Sequence, residues 1–261
     1  MILLKEKAVN GNQSVEKVFQ IIEVMASSKG PMRLQDISAS LNLPASTVIR
    51  FLKTLIIHGY VHQNQETLKY SLSLKFCQIA DLVSSQISIR DIARPYLVEL
   101  SENCQESSCI ATEEDGMVVY IDDVDGPDNM LKTMQRIGKR APLHSTGVGK
   151  NLLLNYDEKQ IDNHIEKHGL LCLTDYTITT KDALISELNR VKSQGYAIDN
   201  EECEIGARCI AAPIIDFSGK VTASVSISGP ISRMTEEKIK EIKIFITDCA
   251  NKISHHLGYK P

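Results

Sequence analysis

Apolar side chains recur every three or four positions along the first 60 residues, which is the spacing of helices that bury one face. Three helices are predicted from this spacing. Their inward positions are Val15, Val18, Phe19, Ile22 and Met25 in the first, Leu34, Ile37 and Leu41 in the second, and Val48, Leu52, Leu55 and Ile56 in the third. We expect Ser14 to cap the first helix, Pro44 to begin the third and Gly59 to end it, because these residue types favour those positions.

A short turn at Asn42 and Leu43 separates the second predicted helix from the third, which is the layout of a helix-turn-helix. In that motif the N-terminal part of the second of the two helices enters the major groove of DNA. The residues predicted to contact DNA are Arg33, Ala45, Ser46, Thr47, Arg50 and Lys53. Among them Arg50 is the best candidate for a bidentate contact with guanine. The spacing also leaves open a second interpretation, in which these side chains form the solvated face of a three-helix bundle.

Polarity alternates in residues 60–63 and again in residues 68–71, on either side of a polar stretch, which predicts a β-hairpin. A hairpin that follows a helix-turn-helix is the wing of a winged helix. Positive charge near its tip is limited to Lys69, so we expect the wing to contribute little to contact with the minor groove.

Residues 76–95 carry a helical pattern between the wing and the rest of the chain. A second helix is predicted within this segment from Asp91 onwards, with Pro95 in its first turn. The apolar positions of the first helix are Ile79, Leu82, Val83 and Ile87. Such a segment is either a linker or a dimer seam. We favour the seam, because two-fold symmetric proteins match the palindromic operators of helix-turn-helix proteins.

Beyond residue 96 the pattern indicates antiparallel strands with flanking helices. Hairpins are predicted from residues 109–113 with 117–124 and from residues 211–216 with 221–228, because glycine-containing turns separate these segments. Thr180 and Thr235 are expected to cap two helices. The fold class is therefore α+β. Its predicted parts are a winged helix-turn-helix DNA-binding domain in residues 1–75, a linker helix in residues 76–95 and a larger antiparallel-sheet domain in residues 96–261.

The charge is divided unevenly between the two predicted domains. The chain has a net charge of −4, with +4 in residues 1–75 and −8 in the remainder. A basic small domain beside an acidic large one favours contact of the small domain with a polyanion such as double-stranded DNA. Ordinary solvating charge is the alternative that this count leaves open.

Composition narrows the remaining classes of protein. No run approaches the roughly 20 apolar residues that span a bilayer, and residues 1–7 are too short and too charged for a signal peptide. We therefore expect a cytoplasmic protein with no membrane partner. The seven cysteines show no CxxC pair and are interpreted as reduced thiols. Of the seven histidines, His164 and His168 have helical spacing, which is a weak metal signature. No metal site and no cofactor is predicted; a zinc-stabilised regulator is kept as an alternative.

Six segments together resemble a known family. SVEKVFQIIEVMA, LQDISASLNLPASTVIRFLKTLIIHGYV and YSLSLKF resemble the DNA-binding domain of IclR-family regulators. RAPLHSTGVGK, DNEECEIGARCIAAPI and SVSISGPISRMT resemble the effector-binding domain of that family. The resemblance implies a GAF-like antiparallel sheet domain, flanked by helices, that binds small organic acids. It also implies a transcriptional regulator, with repression favoured, that forms a homodimer or a dimer of dimers (a homotetramer). Ser73 departs from the family, which often has glycine at this position.

The predicted effector site combines a helix start with a polar strand. Thr146, Gly147 and Val148 precede a helix predicted over residues 150–155, whose free backbone amides suit a carboxylate. A tight turn that packs the helix against a sheet would explain the glycines equally well. Ser226 and Ser228 alternate on one face of a strand.

The family resemblance adds Asp199 and Cys209 as positions that line the effector pocket. The expected ligand is a small carboxylate or a sugar acid. Because Asp199 would repel a bound anion, we expect it to be protonated or bridged, and we expect Cys209 to pack and not to react. Leu131 and Met134 are predicted to add an apolar wall.

A metabolic enzyme with an N-terminal assembly module is the alternative function. The chain has no GxSxG elbow, no Rossmann glycine fingerprint and no complete metal signature, and no catalytic residue is predicted. A phosphate-binding loop is also excluded, because GxxxxGK[ST] would need glycine at His144 and a hydroxyl residue at Asn151.

Overall fold

The computed structural model describes residues 12–127 and 137–260. The chain folds as two compact units, Met1–Ile87 and Ser88–Pro261, and their boundary falls inside the segment predicted as a linker. The predicted apolar wall of Leu131 and Met134 and the charged residues 1–7 lie outside the described residues. None of the described helices is both long enough and apolar enough to cross a membrane.

The first unit is a three-helix bundle followed by a hairpin and a further helix. Its core contains Ile21, Ile37 and Leu52, which are fully buried. The two strands pair antiparallel, and Met32 makes an additional bridge to Tyr70. The elements are α1 (Gln13–Ser27), α2 (Leu34–Leu41), α3 (Ala45–Ile57), β1 (Val61–Gln63), β2 (Tyr70–Leu72) and α4 (Lys75–Ser84).

Two details of α1 differ from the prediction. Asn12 caps the helix in place of Ser14, and its side chain accepts a hydrogen bond from the Ser14 amide at 3.0 Å. Val15 and Phe19 are 48% and 60% exposed, although they were predicted to point inward. At about 100° per residue, a face centred on Ile21 and Met25 leaves Val15 and Phe19 to one side.

The second unit begins with α5 (Ile89–Cys104), which differs from the helix predicted from Asp91. Ser88 caps α5 and accepts from the Asp91 amide at 3.2 Å, so the helix starts before Asp91. Pro95 consequently lies inside the helix and not in its first turn. Proline there removes one backbone donor from the helix. Residues 76–95 thus hold most of α4 and the start of α5, and not one continuous helix.

A six-stranded antiparallel sheet forms the centre of the second unit, in the order β5-β4-β3-β8-β7-β6. The remaining elements are β3 (Ser107–Glu114), β4 (Met117–Val124), β5 (Arg140–Pro142), α6 (Gly147–Leu152), α7 (Glu158–His168), α8 (Lys181–Gln194), β6 (Ala197–Asn200), β7 (Ala207–Ile215), β8 (Val221–Pro230) and α9 (Glu236–His256). Thr180 and Thr235 cap α8 and α9 as predicted, and both predicted hairpins form.

Alternation along the strands gives the sheet two buried faces. Val225 and Ile227 of β8 point into a core shared with α5 and α9. On the opposite face Ala211 of β7 packs in a second core with residues of α6 and α8, such as Val148 and Leu184. This helix-flanked antiparallel sheet confirms the predicted α+β class, and it places α6 over the end of the sheet where β6, β7 and β8 meet.

Candidate DNA-binding and effector sites

The turn between α2 and α3 fixes the start of α3, the helix predicted to enter the major groove. Asn42 adopts the left-handed conformation with φ 50°, and the Ser38 hydroxyl donates to the Leu43 carbonyl oxygen at 2.5 Å. Pro44 then precedes α3, and no side chain caps the first amides of that helix. Uncapped amides at a helix N-terminus can bind phosphate.

Five of the six predicted DNA-contact residues lie along α3. Ala45, Ser46, Arg50 and Lys53 are exposed, and Thr47 is half-buried. No acidic residue occurs in α3.

The charged members of the set are available for contact. The Arg50 guanidinium lies 5.3 Å from the centre of the Phe51 ring, which orients it by a cation–π contact. Arg33 is exposed at the start of α2, on a different element from the other five, and its backbone amide donates to Asp36 at 3.1 Å. Within the described part of the chain, none of the three cations forms an ion pair.

The wing is closed by local hydrogen bonds. Asn64 Oδ1 accepts from the Glu66 amide at 3.0 Å and from the Thr67 amide at 2.8 Å. Ser73, the departure from the family pattern, donates from its hydroxyl to the Gly59 carbonyl oxygen at 2.5 Å. The same hydroxyl accepts from the Lys75 amide at 3.2 Å, so it ties the end of the wing to the end of α3. Serine here adds contacts that glycine cannot make.

A cavity of about 610 Å³ lies in the second unit at the start of α6. Six of the seven predicted effector residues line it: Thr146, Gly147, Val148, Asp199, Cys209 and Ser228. The seventh, Ser226, does not. Its hydroxyl lies 2.9 Å from the Cys109 sulfur and is buried behind the cavity wall.

The start of α6 differs from the prediction by three residues, since the helix begins at Gly147 and not at Lys150. Thr146 Oγ1 accepts from the Gly149 amide at 3.1 Å and donates to the Pro142 carbonyl oxygen at 3.0 Å. The amides of Gly147 and Val148 precede the first intrahelical bond and border the cavity.

Close packing explains both glycines of this helix start. A Cβ at Gly149 would lie within 2.3 Å of the Leu143 carbonyl oxygen, and one at Gly147 within 3.2 Å of the Ala211 side chain. Tight packing and presentation of free amides therefore occur together, and the two explanations of these glycines are not exclusive.

Asp199 is the buried carboxyl group of the cavity wall. It is 8% exposed, and its Oδ1 accepts from the backbone amides of Glu202 at 2.8 Å and Cys203 at 3.3 Å. Burial, together with the neighbouring Glu202 carboxylate, raises the pKa of Asp199 to about 7. Near neutral pH this group is therefore partly protonated.

Cys209 and Ser228 face the cavity from paired positions on β7 and β8. Burial first, and then the charge of Asp199, raises the pKa of the Cys209 thiol to about 12. The thiol is therefore neutral and poorly nucleophilic at physiological pH.

The sequence prediction missed the cations at the cavity. Lys139, Arg140 and Arg208 all line it. Arg208 is held by Asn200 Oδ1 at 2.6 Å and by the Met234 carbonyl oxygen at 2.7 Å, and Arg140 pairs with Glu114 at 3.1 Å. Arg140 and Arg208 lie inside two of the segments that resemble the effector-binding domain of the family. Their place in these segments could have indicated that they line the cavity.

A buried lysine behind the cavity was also missed. Lys150 of α6 is fully buried, and its Nζ donates to Glu202 at 2.5 Å, to Glu187 at 3.2 Å and to the Ile198 carbonyl oxygen at 2.8 Å. A lysine inside an otherwise apolar helix start was the available sequence signal. The ammonium ties α6 to α8 and β6.

Three histidines border a smaller cavity of about 130 Å³: His144, His164 and His168. Burial and the neighbouring histidines lower the pKa of His164 to about 4, so its imidazole is neutral at physiological pH. In residues 12–127 and 137–260 no three His, Cys, Asp or Glu side chains are arranged to hold a metal ion.

Two family profiles match the chain. One, described as the IclR helix-turn-helix domain, matches residues 14–65. The other, described as the bacterial transcriptional regulator IclR C-terminal, matches residues 82–255.

Curated relatives match over nearly the whole chain. The HTH-type transcriptional regulator KdgR of Escherichia coli K12 is 36% identical over 254 residues, which cover 97% of this chain and 96% of KdgR. XynR of the same organism is 32% identical over 247 residues, covering 95% of this chain and 98% of XynR. The HTH-type transcriptional repressor AllR of Salmonella typhi is 32% identical and covers 97% of this chain and 93% of AllR.

Solved structures agree with these matches. The crystal structure of Thermotoga maritima IclR is 32% identical with a TM-score of 0.63, covering 95% of this chain and 99% of that one. The C-terminal domain of E. coli KdgR is 36% identical with a TM-score of 0.60, covering 66% of this chain and all of that domain. None of these comparisons supports the alternative of a metabolic enzyme with an assembly module. The chain belongs to the IclR family, whose members here are helix-turn-helix transcriptional regulators with an effector-binding C-terminal domain.

Proposed function

We propose that the protein is a homodimeric transcriptional repressor of the cytoplasm, whose affinity for operator DNA changes when a small organic acid binds the effector cavity. One pair of observations carries this proposal. The first unit presents a recognition helix without acidic residues, and the second contains a cavity of about 610 Å³ with charged and polar side chains in its lining. Repression is favoured over activation because AllR, at 32% identity, is named a repressor.

The DNA contact is assigned to the exposed side of α3. Arg50 supplies the contact with a base edge, because its fork of donors matches the two acceptors of guanine. Ser46, Thr47 and Lys53 bind phosphates and set the position of the helix in the groove. Arg33 adds a phosphate contact from the start of α2. The wing carries Glu66 beside Lys69 and adds little.

The effector is assigned to small carboxylates, including sugar acids. The amides of Gly147 and Val148 and the hydroxyl of Ser228 suit the carboxylate group. Arg208 suits a hydroxyl or a carbonyl oxygen farther along the ligand. A cavity of about 610 Å³ lies within the roughly 300–1,000 Å³ typical of small-molecule sites, so it also has room for a sugar acid.

The dimer seam is assigned to α4. Ile79, Leu82 and Val83 lie on one stripe of this helix and are 38%, 55% and 52% exposed. A contiguous apolar stripe on an exposed helix marks an interaction surface. Two recognition helices on one dimer would read a palindromic operator, and a dimer of dimers would bind two such sites.

The recognition assignment is tested by Arg50→Ala. Bound sequences are first selected from a random duplex library with the wild-type protein, and affinity for the selected duplex is then measured by fluorescence anisotropy. We expect the variant to lose about 1–3 kcal/mol of binding free energy, the value of one good bidentate base contact. Its affinity for unrelated duplex should change much less.

Two matched variants separate charge from base recognition. Arg50→Lys keeps the positive charge but removes the fork, so it should lose specificity while keeping non-specific binding. Lys192→Ala removes one exposed cation of α8 in the other unit and should leave both affinities unchanged. Wild-type affinity in Arg50→Ala would exclude Arg50 from the recognition surface.

A further inference from the structure

Asp199 presents one carboxyl oxygen to the effector cavity. Its Oδ1 is occupied by the amides of Glu202 and Cys203, at 2.8 and 3.3 Å. Oδ2 is therefore the oxygen left for a ligand. The residue is 8% exposed, so a bound ligand would exclude most of the remaining water from it.

The buried groups around Asp199 carry an excess of negative charge. In the loop after β6 Glu202 faces it, and Lys150 on α6 compensates this carboxylate but is shared with Glu187 on α8. Glu187 also pairs with the half-exposed Arg190 at 2.8 Å, so Lys150 and Arg190 balance the two glutamates and no cation is left for Asp199. Among the described residues, the other titratable groups that interact with Asp199 are the uncharged acids Cys203, Cys209 on β7 and Tyr120 on β4.

The remaining charged groups lie at the cavity lining. They are Lys139, Arg140, Glu204 and Arg208. Arg140 is already paired with Glu114 at 3.1 Å, and it is 44% exposed at the side chain. The three cations favour entry of an anionic ligand and Glu204 opposes it, and none of the four is among the main causes of the raised pKa of Asp199.

A carboxylate ligand held at the amides of Gly147 and Val148 shares the cavity with Asp199. Two carboxylates in contact cannot both be ionised at low cost, and one shared proton removes the repulsion. Burial and Glu202 raise the pKa of Asp199 to about 7, so that proton is readily available near neutral pH.

We propose that Asp199 binds a proton when the cavity takes up a carboxylate, and that its Oδ2–H then donates a hydrogen bond to the ligand. This inference rests on the proposed effector site. The proton comes from solvent, the ligand remains an anion, and no covalent bond changes. Asp199 thereby selects ligands with a hydrogen-bond acceptor that faces Oδ2. This acceptor is either the ligand carboxylate or a carbonyl oxygen next to that carboxylate.

Proton uptake makes effector affinity depend on pH in a defined direction. Below the pKa of free Asp199 the proton is already present, and affinity is constant. Above it each unit of pH should lower the affinity by up to about tenfold, because the proton must be taken from a more dilute pool. The fall ends where the pKa of Asp199 in the complex is reached.

The test uses the full-length protein with glyoxylate, pyruvate and gluconate as probes. Calorimetric titrations between about pH 6 and pH 8.5, each in two buffers of different ionisation enthalpy, give affinity and the number of protons taken up. We expect wild-type uptake to approach one proton per site at about pH 8. Asp199→Asn carries a permanent donor in place of the acid, so it should show no uptake and an affinity independent of pH.

Glu204→Gln is the matched control, because it removes another carboxylate that lines the same cavity. It should keep the pH slope of the wild type. Binding without proton uptake by the wild type, or an unchanged slope in Asp199→Asn, would overturn the role of Asp199. Failure of all three acids to bind at any pH would instead contradict the proposed effector class.

Thermal melting without ligand tests the pKa of Asp199 in the free protein. The folded state holds this proton up to about pH 7 and the unfolded chain releases it near pH 4, so wild-type stability falls as pH rises between these values. The difference in melting temperature between Asp199→Asn and the wild type should therefore grow from pH 5 to pH 8. Parallel melting profiles would show that the pKa of Asp199 is not raised in the free protein, and would contradict the premise that its proton is available near neutral pH.

Discussion

Ser226 and Ser228 share one face of β8, and both hydroxyls bond to the Cys209 thiol, but only one of them lines the cavity. Ser228 lines the effector cavity, whereas Ser226 lies behind the wall, 2.9 Å from the Cys109 sulfur. The period of two along a strand predicts that both point to the same side. It does not predict how far the cavity extends along the strand, because that depends on where α6 crosses the sheet.

This difference predicts unequal effects of two otherwise identical substitutions. Ser228→Ala should weaken effector binding by about 0.5–1.5 kcal/mol, the net value of one hydrogen bond. Ser226→Ala should leave effector affinity nearly unchanged and lower the melting temperature slightly, because a buried thiol loses its partner. Calorimetric titration with the three acids and thermal melting measure the two effects. Equal weakening of binding by both variants would mean that Ser226 reaches the ligand.

The sequence predicted some residues of the cavity lining and missed others. Asp199 and Cys209 came from the family resemblance, and the structure brings them to the same cavity as Gly147. Lys139 was not found, because a cation is usually solvated and nothing in the local pattern marks it as facing a cavity, whereas Arg208 lies in a segment of the family resemblance and could have been found. Only the fold brings residues at the start of β5 and β7 to the same cavity, since β4, β3 and β8 lie between these strands in the sheet.

At the scale of elements, α6 shows how one helix serves both packing and binding. Its apolar residues pack in the core on one side of the sheet, and its first amides border the cavity. Lys150 is fully buried within it and joins Glu187 of α8 to Glu202 after β6. Local pattern could not predict this cluster, since its three members are far apart in sequence.

Removal of the buried ammonium tests what the cluster contributes. Lys150→Met keeps the length of the side chain but leaves Glu202 and Glu187 without their shared partner. We expect a loss of about 3–5 kcal/mol in the free energy of unfolding, the usual cost of breaking a buried ion pair on one side. Urea unfolding followed by circular dichroism measures it.

Two further variants identify the cause. Lys150→Met combined with Glu202→Gln should recover part of the lost stability, because the uncompensated charge of Glu202 is removed. Lys192→Met changes an exposed lysine of α8 and should stay within about 0.5 kcal/mol of the wild type. A loss in Lys150→Met no larger than in Lys192→Met would show that the cluster does not stabilise the unit.

Predicted caps gave the start of two helices correctly and of one wrongly, since Asn12 caps α1 in place of Ser14. Thr180 and Thr235 begin α8 and α9, and Gly195 ends α8 in the left-handed conformation. In α1 the inward face was misjudged, because Val15 and Phe19 are apolar without being buried in their unit. Spacing alone does not distinguish an exposed apolar residue from one that packs in the core.

At the scale of the whole molecule, the exposed apolar residues of the first unit are candidates for contact with a second copy of the chain. Val15 and Phe19 on α1 and the stripe of Ile79, Leu82 and Val83 on α4 are exposed in the single chain. Exposed apolar surface of this kind is stabilised when a partner covers it. In the proposed dimer two recognition helices read one palindromic operator, so we expect assembly and DNA binding to be coupled.

Leu82→Glu tests this coupling. A carboxylate in the centre of an apolar seam would have to be buried without a partner, so the dimer should dissociate at micromolar concentration. The fold should survive, because Leu82 is 55% exposed in the chain. Sedimentation velocity measures the mass, and anisotropy with the selected duplex should show a loss of at least about tenfold in affinity, because the two DNA-binding units no longer bind as one.

Cys77→Glu places the same charge elsewhere on α4, at another exposed position, and should leave mass and affinity unchanged. A dimeric Leu82→Glu protein would assign the seam to another surface, whereas a monomer that still binds the duplex with full affinity would show that one recognition helix suffices.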